Sequence, residues 1–168
     1  MPRRFLDLPS LETLHALFEL DEKSESGLKW KATGKDAGIK RAIGYWYVSI
    51  KGKYYLCHRI IFFMRTGINP GENFVDHKNR NRGVNDELRL ASNRDNSVNA
   101  GKRADKIYTS KYKGVCWHKS ANSWMAQIQS FGKSKYLGCF STEKEAAEAY
   151  NAAAKEKWGE FAFLNEID

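Results

Sequence analysis

An acid, an imidazole and a carboxamide form the first set of residues in this sequence that could do chemistry. Asp76 and His77 end a short apolar segment that predicts a β-strand. Because adjacent strand residues point to opposite sides, a carboxylate and an imidazole can flank one site from neighbouring positions. Asn96 follows in a polar segment that Ser92 can cap as a helix, and we expect that helix to pack back onto the strand.

These three residue types suit the hydrolysis of a phosphodiester with one metal ion. The oxygens of Asp76 and Asn96 are hard ligands of the kind that Mg²⁺, or another divalent cation such as Mn²⁺, takes in proteins. A neutral His77 can accept a proton from water at physiological pH. The spacing alone is a weak signal, because Asp-His pairs occur by chance and an Asn in a first helical turn is usually a local cap.

The segments before these residues predict a small mixed domain. Ser10 can cap a helix with an apolar leucine face, and residues 45–58 alternate as a β-hairpin around a turn at Lys51-Gly52. An apolar helix over 59–65 follows and is ended by Gly67 and Pro70. Strand, polar loop, strand and helix then succeed one another between residues 74 and 100.

The last third of the chain predicts three strands backed by one helix. The strands cover residues 112–118, 124–130 and 135–140, and Thr142-x-x-Glu145 is a capping box that opens an alanine-rich helix. An alanine face packs closely on a sheet, so the opposite sheet face is left for a ligand. Residues 101–110 are polar, without periodicity, and are predicted to be a linker.

The charge of the chain points to a polyanion. The net charge is +8, and the stretch between Gly101 and Tyr136 holds eight basic residues and one acid. Such a balance suits nucleic acid. Three scattered cysteines without a CxxC pair argue against a disulfide framework and structural zinc, and no apolar run reaches the ~20 residues of a membrane span. We expect a cytoplasmic protein (in a bacterial host if phage-encoded), or a nuclear one if its source has a nucleus.

Residues 28–100 resemble the HNH endonucleases, in particular the phage and intron-encoded homing type. The matching segments are Cys57-His-Arg-Ile-Ile61, Val75-Asp-His-Lys-Asn79, Leu88-Arg-Leu-Ala-Ser92 and Asn93-x-x-Asn96. The resemblance implies that Asp76 and Asn96 hold the divalent ion and that His77 is the general base. It also places His58 near the site, although a lone His at the edge of an apolar helix is more often structural.

One loop departs from the pattern of that family. The family usually has an Asn directly before the Leu-Arg step, where this chain has Glu87, and the loop is about two residues short. Either Asn85 supplies the missing support or the support is absent.

Residues 110–165 resemble the AP2/ERF DNA-binding domain. The matching segments are Ser110-Lys-Tyr-Lys-Gly-Val115, Trp124-Met-Ala-Gln-Ile128, Tyr136-Leu-Gly-Cys-Phe140, Thr142–Tyr150 and Gly159–Asn165. That family lays its sheet in the major groove of DNA. Residues 117–119, 127 and 129 are among those expected to contact DNA, whereas for Trp124 core packing is the alternative explanation. The full set of expected contacts from both modules is Arg80, Arg82, Arg89, Lys113, Trp117, His118, Lys119, Trp124, Gln127, Gln129, Lys133, Lys135 and Tyr136.

The combined prediction is an α+β protein with two modules. Residues 1–100 are expected to form a ββα-metal (HNH) nuclease module preceded by a β-hairpin and short helices. Residues 101–110 link it to an AP2-like three-stranded antiparallel sheet packed on one helix over 111–168. We expect a metal-dependent DNA endonuclease of the homing type, a monomer or weak homodimer acting on double-stranded DNA without a membrane. The alternative is a DNA-binding regulator that no longer cleaves.

Overall fold

The chain forms two compact units that divide between Arg94 and Asp95. The computed structural model describes residues 5–79, 87–102, 107–130 and 132–167. Within these ranges the protein is a mixed α/β structure with small antiparallel sheets and four α-helices. The predictions for Arg80, Arg82 and Asn85 lie outside the described residues.

The first unit contains two helices and seven strands within its described part. In chain order these are α1 (Leu11–Leu17), β1 (Phe18–Leu20), β2 (Leu28–Trp30), β3 (Ile39–Lys40), β4 (Trp46–Ile50), β5 (Lys53–Leu56), α2 (Cys57–Thr66), β6 (Phe74–His77) and β7 (Leu88–Ala91). β1 pairs with β2, β4 lies between β3 and β5, and β6 pairs with β7, all antiparallel.

Local signals in the sequence correctly predicted several of these elements. The Ser10 hydroxyl accepts a hydrogen bond from the Thr13 backbone N–H at 3.2 Å, so the predicted cap of α1 is confirmed. The hairpin β4–β5 turns at Lys51-Gly52 as expected. α2 is three residues longer than predicted and ends at Gly67, whose positive φ of 69° suits a residue without a Cβ.

The core of the first unit forms around α2. Its residues from Cys57 to Met64 are all buried, and a helix that is covered on every side needs apolar residues all round. Leu14 and Phe18 belong to the same cluster. Arg59 is the charged exception: its guanidinium donates to the carbonyls of Asn73 and Gly71, both at 2.6 Å, which satisfies a buried cation with backbone acceptors.

The second unit is a three-stranded sheet with a helix behind it. Its elements are α3 (Asn93–Asn99, whose first two residues end the first unit), β8 (Val115–His118), β9 (Ser123–Ser130), β10 (Lys133–Phe140) and α4 (Glu143–Trp158). β9 lies between β8 and β10. The Thr142–Glu145 capping box is present at both of its hydrogen bonds, as predicted. The first predicted strand was too long, since β8 begins at Val115 rather than at residue 112.

The alanine face of α4 packs on the sheet. Ala146 and Ala147 lie against Val115 and Ala126, and Ala154 lies beside Ile128. Small side chains let the helix approach the strands closely, which is the arrangement expected from the sequence. No helix in the described parts of the chain is long and apolar enough to cross a membrane.

Candidate functional site

Asp76 and His77 lie side by side at the end of β6, and both are buried. The antiparallel register pairs Asp76 with Arg89 across the β6–β7 ladder. Arg89 donates from Nε at 3.2 Å and from Nη2 at 3.0 Å, and both bonds go to Oδ2 of Asp76. The two side chains are only 8% and 9% exposed, so this ion pair orients the carboxylate inside the protein.

The imidazole of His77 belongs to a cluster of three rings. The His77 ring centroid lies 4.9 Å from that of His58, at the start of α2, and 6.0 Å from that of Tyr45. The Tyr45 and His58 rings are 5.2 Å apart. This packing limits how far the His77 ring can turn.

His58 is as deeply buried as His77. Burial, together with the charges of His77 and Arg59 nearby, holds the pKa of His58 well below its usual range. His58 therefore stays neutral at physiological pH and packs beside His77 without adding a positive charge. This arrangement fits the supporting position that the sequence resemblance implied.

Asn96 lies on α3, in the second compact unit, and is half-buried. The end of that helix is held by a lysine of the same unit. The ammonium of Lys113 donates to the carbonyls of Val98 at 2.8 Å and Ala100 at 2.5 Å. It also lies 5.0 Å from the centre of the Phe163 ring. Lys113 was expected to contact DNA, and the structure gives it these acceptors within its own unit.

A second network holds the backbone of Lys113 in place. Its N–H donates to Oδ1 of Asn165 at 2.7 Å, and Nδ2 of Asn165 donates back to its carbonyl at 3.1 Å. Asn151, on α4, exchanges two further hydrogen bonds with the backbone of Asn165. The end of α3 is thus connected through Lys113 to the helix behind the sheet.

The strand register of the second unit divides the expected DNA contacts between two faces. Ala126 and Ile128 on β9 point to α4, so Gln127 and Gln129 alternate to the opposite, outer face. Tyr136 is paired with Gln127 and is 60% exposed on that same face. His118, in register with Ser123, also belongs to the outer face, and its Nδ1 accepts the N–H of Ala121.

The two expected tryptophans lie on the helix side instead. Trp117 and Trp124 are cross-strand partners with ring centroids 5.1 Å apart, and Trp124 packs against the core beneath the sheet. Packing explains both residues without a ligand.

The expected basic residues also differ in their surroundings. Lys119, Lys133 and Lys135 are exposed. Lys135 is in register with buried Ile128, which puts it on the helix side of the strand. Lys102, which was not among the expected contacts, donates to the carbonyl of Ser110 at 2.8 Å, and burial lowers its pKa.

Two features of the site were missed by the sequence reasoning. Arg89 was expected to contact phosphate, but it is buried against Asp76. Counting antiparallel pairs outward from the polar loop, with His77 opposite Leu88, places Asp76 opposite Arg89. Tyr45 was taken only as part of a hairpin, and nothing local marks its ring as a neighbour of His77. Among the described residues, no group of three or more His, Cys, Asp or Glu is arranged to hold a metal ion.

The comparisons with known proteins identify the family. One relative is the protein "Uncharacterized HNH endonuclease L560" of Acanthamoeba polyphaga mimivirus. It is 34% identical to this chain over 143 residues, which span 83% of this chain and 72% of the relative. The chain therefore belongs to the HNH endonuclease family. The buried Asp76-His77 pair lies in the segment that carried the sequence resemblance.

The second unit contains a domain of a different family. Residues 110–160 match the model of the AP2 domain. The AP2-like ethylene-responsive transcription factor TOE2 of Arabidopsis thaliana is 32% identical over 83 residues, covering 49% of this chain and 17% of the relative. The AP2-like factor PLT2 of the same plant is 51% identical over 47 residues, covering 27% and 8%. No solved structure shows significant similarity to the chain.

Proposed function

We propose that this protein is a metal-dependent DNA endonuclease of the homing type that hydrolyses phosphodiester bonds and recognises DNA through its AP2-like module. The observation that carries the proposal is the buried pair at the end of β6. Asp76 is oriented by Arg89, and the His77 ring is packed beside a neutral His58. Family membership and the AP2 domain support DNA as the substrate.

The donor chemistry of the proposed site fits a magnesium-like ion. Asp76 and Asn96 offer a carboxylate and a carboxamide, and hard oxygen donors of this kind suit Mg²⁺ or Mn²⁺, which keep several waters and take few protein ligands. We propose these two residues as the protein ligands. When bound, the ion would neutralise charge on the phosphate and on the leaving oxygen.

His77 is the proposed general base. A neutral imidazole accepts a proton from water near physiological pH, provided that its ring is held in a fixed orientation. The contacts with Tyr45 and His58 supply that restraint. His58 is a positioning residue in this proposal, and Arg89 fixes the carboxylate rather than the DNA. A role for Asn85 in supporting the loop stays a prediction.

The proposed recognition surface is the outer face of the second unit's sheet. Gln127, Gln129 and Tyr136 project from it, and His118 lies at its edge. A sheet of this width enters the major groove, where an amide can bond adenine through two hydrogen bonds. Exposed lysines around the sheet suit phosphate contacts. The phage origin and cytoplasmic location expected from the sequence also stay predictions.

A plasmid-nicking assay tests the proposal. The protein is incubated with supercoiled plasmid and Mg²⁺, and conversion to open circles is followed over time. We expect His77→Ala to abolish nicking, since general-base catalysis typically contributes about 10²–10⁴-fold. The matched control is His15→Ala on α1, which removes an exposed imidazole and should leave the rate unchanged. Equal rates for the parent and His77→Ala would refute the proposed base.

The alternative is a DNA-binding regulator without cleavage. Glu87 favours it, because an Asn is expected directly before Leu88 and Arg89 in an active family member. The same assay separates the two functions. A parent protein that shifts duplex DNA in a gel but never nicks it with Mg²⁺ or Mn²⁺ supports the regulator.

A further inference from the structure

The three-stranded sheet of the first unit presents one face away from the core. Val48, Ile50 and Tyr55 are buried on its inner side. Side chains alternate along a strand, so the outer face is formed by the residues between them. Register pairs Ile39 with Tyr47, Tyr47 with Leu56, and Ser49 with Tyr54, which extends this face across all three strands. We name these residues, together with Arg41, the hairpin face.

An arginine lies across two tyrosines at the centre of the hairpin face. The guanidinium carbon of Arg41 is 4.9 Å from the centre of the Tyr47 ring and 5.0 Å from that of the Tyr54 ring. Arg41 and Tyr54 are exposed, and Tyr47 is half-buried. Cation–π contacts at such distances hold the planar guanidinium over the sheet while its N–H groups still reach solvent.

The chain segment that contains the hairpin face is basic. Residues 37–71 contain six basic residues and no acid. Two of the six are engaged elsewhere, since Arg59 is buried and Arg65 pairs with Glu22. The remaining four are exposed: Lys40, Arg41, Lys51 and Lys53. Register pairs Lys40 with Trp46 and Lys53 with Ile50, which puts both on the inner side, so Arg41 and, at the hairpin turn, Lys51 are the cations next to the hairpin face. A surface of this composition is complementary to a polyanion.

We propose that the hairpin face binds the phosphate backbone of duplex DNA, as a second DNA contact separate from the AP2-like sheet. The proposal rests on the proposed function in taking duplex DNA as the ligand. The planar guanidinium of Arg41 matches the oxygens of a phosphate, and the exposed ammonium of Lys51, at the hairpin turn, adds a second cation for the backbone.

The same geometry argues against a single-stranded ligand. Proteins that bind single strands stack bases on open aromatic faces. Here Arg41 covers the rings of Tyr47 and Tyr54. The rings therefore orient a cation, and the cation is the group presented to the ligand.

The experiment measures how the affinity of the full-length protein for a fluorescent duplex of arbitrary sequence depends on salt. Each phosphate contact adds about 0.9 to the slope of log affinity against log salt concentration. We expect Arg41→Gln to lower the magnitude of this slope by about 0.9, the contribution of one phosphate contact. Raising the salt from about 50 to 200 mM should then reduce the affinity of the variant by a factor roughly threefold smaller than the factor for the parent. Lys31→Gln, which removes one charge from an exposed position outside the hairpin face, should keep the parental slope.

A conservative variant guards against a purely structural effect. Arg41→Lys keeps the charge and loses the planar fork, so we expect its slope to stay parental while its affinity drops. Thermal unfolding should be the same for all three variants and the parent. An Arg41→Gln slope equal to that of Lys31→Gln overturns the proposal. A loss of affinity that is as large for single-stranded RNA as for duplex DNA overturns the assignment of the ligand.

The outcome is distinguishable from that of the nuclease proposal. If the parent fails to nick plasmid but Arg41→Gln lowers the slope, the nuclease proposal fails and the hairpin face stands as a DNA contact. If the parent nicks and the slope of Arg41→Gln is parental, the nuclease proposal stands and the hairpin face does not.

Discussion

The bonds from Lys113 to the end of α3 can be tested by removing the ammonium and keeping the stem. Lys113→Met loses two charge-assisted hydrogen bonds, to the carbonyls of Val98 and Ala100. A hydrogen bond to a charged group is worth about 1.5–3 kcal/mol when shielded from water. The bond to Val98 is partly buried and that to Ala100 is exposed, so we count the first nearly in full and the second very little. The expected loss is about 2 kcal/mol.

The assay is hydrogen exchange of the backbone amides of α3. A loss of about 2 kcal/mol raises the population of the open helix roughly 30-fold, because about 1.4 kcal/mol is a factor of ten. Amides of residues 96–99 should exchange faster by that factor, while those of β9 should be unchanged. If Asn96 is a metal ligand, nicking should also require more Mg²⁺ in this variant. The control is Lys155→Met, which removes an exposed ammonium from α4.

One result would contradict the role of Lys113 in stabilising α3 and support the DNA contact that the sequence predicted for it. If α3 amides exchange at parental rates in Lys113→Met, and the slope of log DNA affinity against log salt drops by about 0.9, Lys113 is a phosphate contact. The hydrogen bonds to α3 would then have no energetic role.

Three further predictions concern single residues. Arg89→Met should destabilise the first unit by about 3–5 kcal/mol in chemical denaturation, because it leaves the Asp76 carboxylate buried without its cation; a loss under 1 kcal/mol would contradict this. Gly114→Ala should prevent cooperative folding of the second unit, seen in its circular dichroism melt, since a Cβ would lie 2.1 Å from a ring carbon of Tyr150 at a backbone φ of +79°. Burial keeps the pKa of His58 low in the folded protein, so below about pH 6.5 the unfolded chain binds a proton at His58 that the folded protein does not bind. The free energy of unfolding should therefore fall as the pH drops through about 6.5, by at most about 1.4 kcal/mol per pH unit. His58→Gln should flatten that dependence.

Elements that depend on residues close in sequence were predictable. The Ser10 cap, the turn at Lys51-Gly52 and the Thr142 capping box each involve side chains and amides within four positions. Their physics is local, so the sequence contains it in full. The β1–β2 pair was not predicted, because strands of three residues have no periodicity to detect.

The division of the AP2-like sheet into two faces required the register. A bulge between Tyr136 and Gly138 shifts β10 by one residue, and Leu137 packs into the core there. A shift of one residue reverses the face of every later side chain. The resemblance to the AP2/ERF domain placed Gln127 and Trp124 together as expected DNA contacts, whereas the pairing puts them on opposite sides of the sheet.

For the candidate site, the sequence by itself determined which groups are available: a carboxylate and an imidazole at one strand end, a carboxamide on the following helix, and a basic chain in need of an anionic partner. Only the tertiary structure decided what those groups touch. Arg89 meets Asp76 across a ladder, His58 meets His77 from another helix, and Lys113 meets the end of α3. These contacts join residues 13 to 19 positions apart, and such pairs are chosen by strand register and core packing rather than by any local preference of the chain.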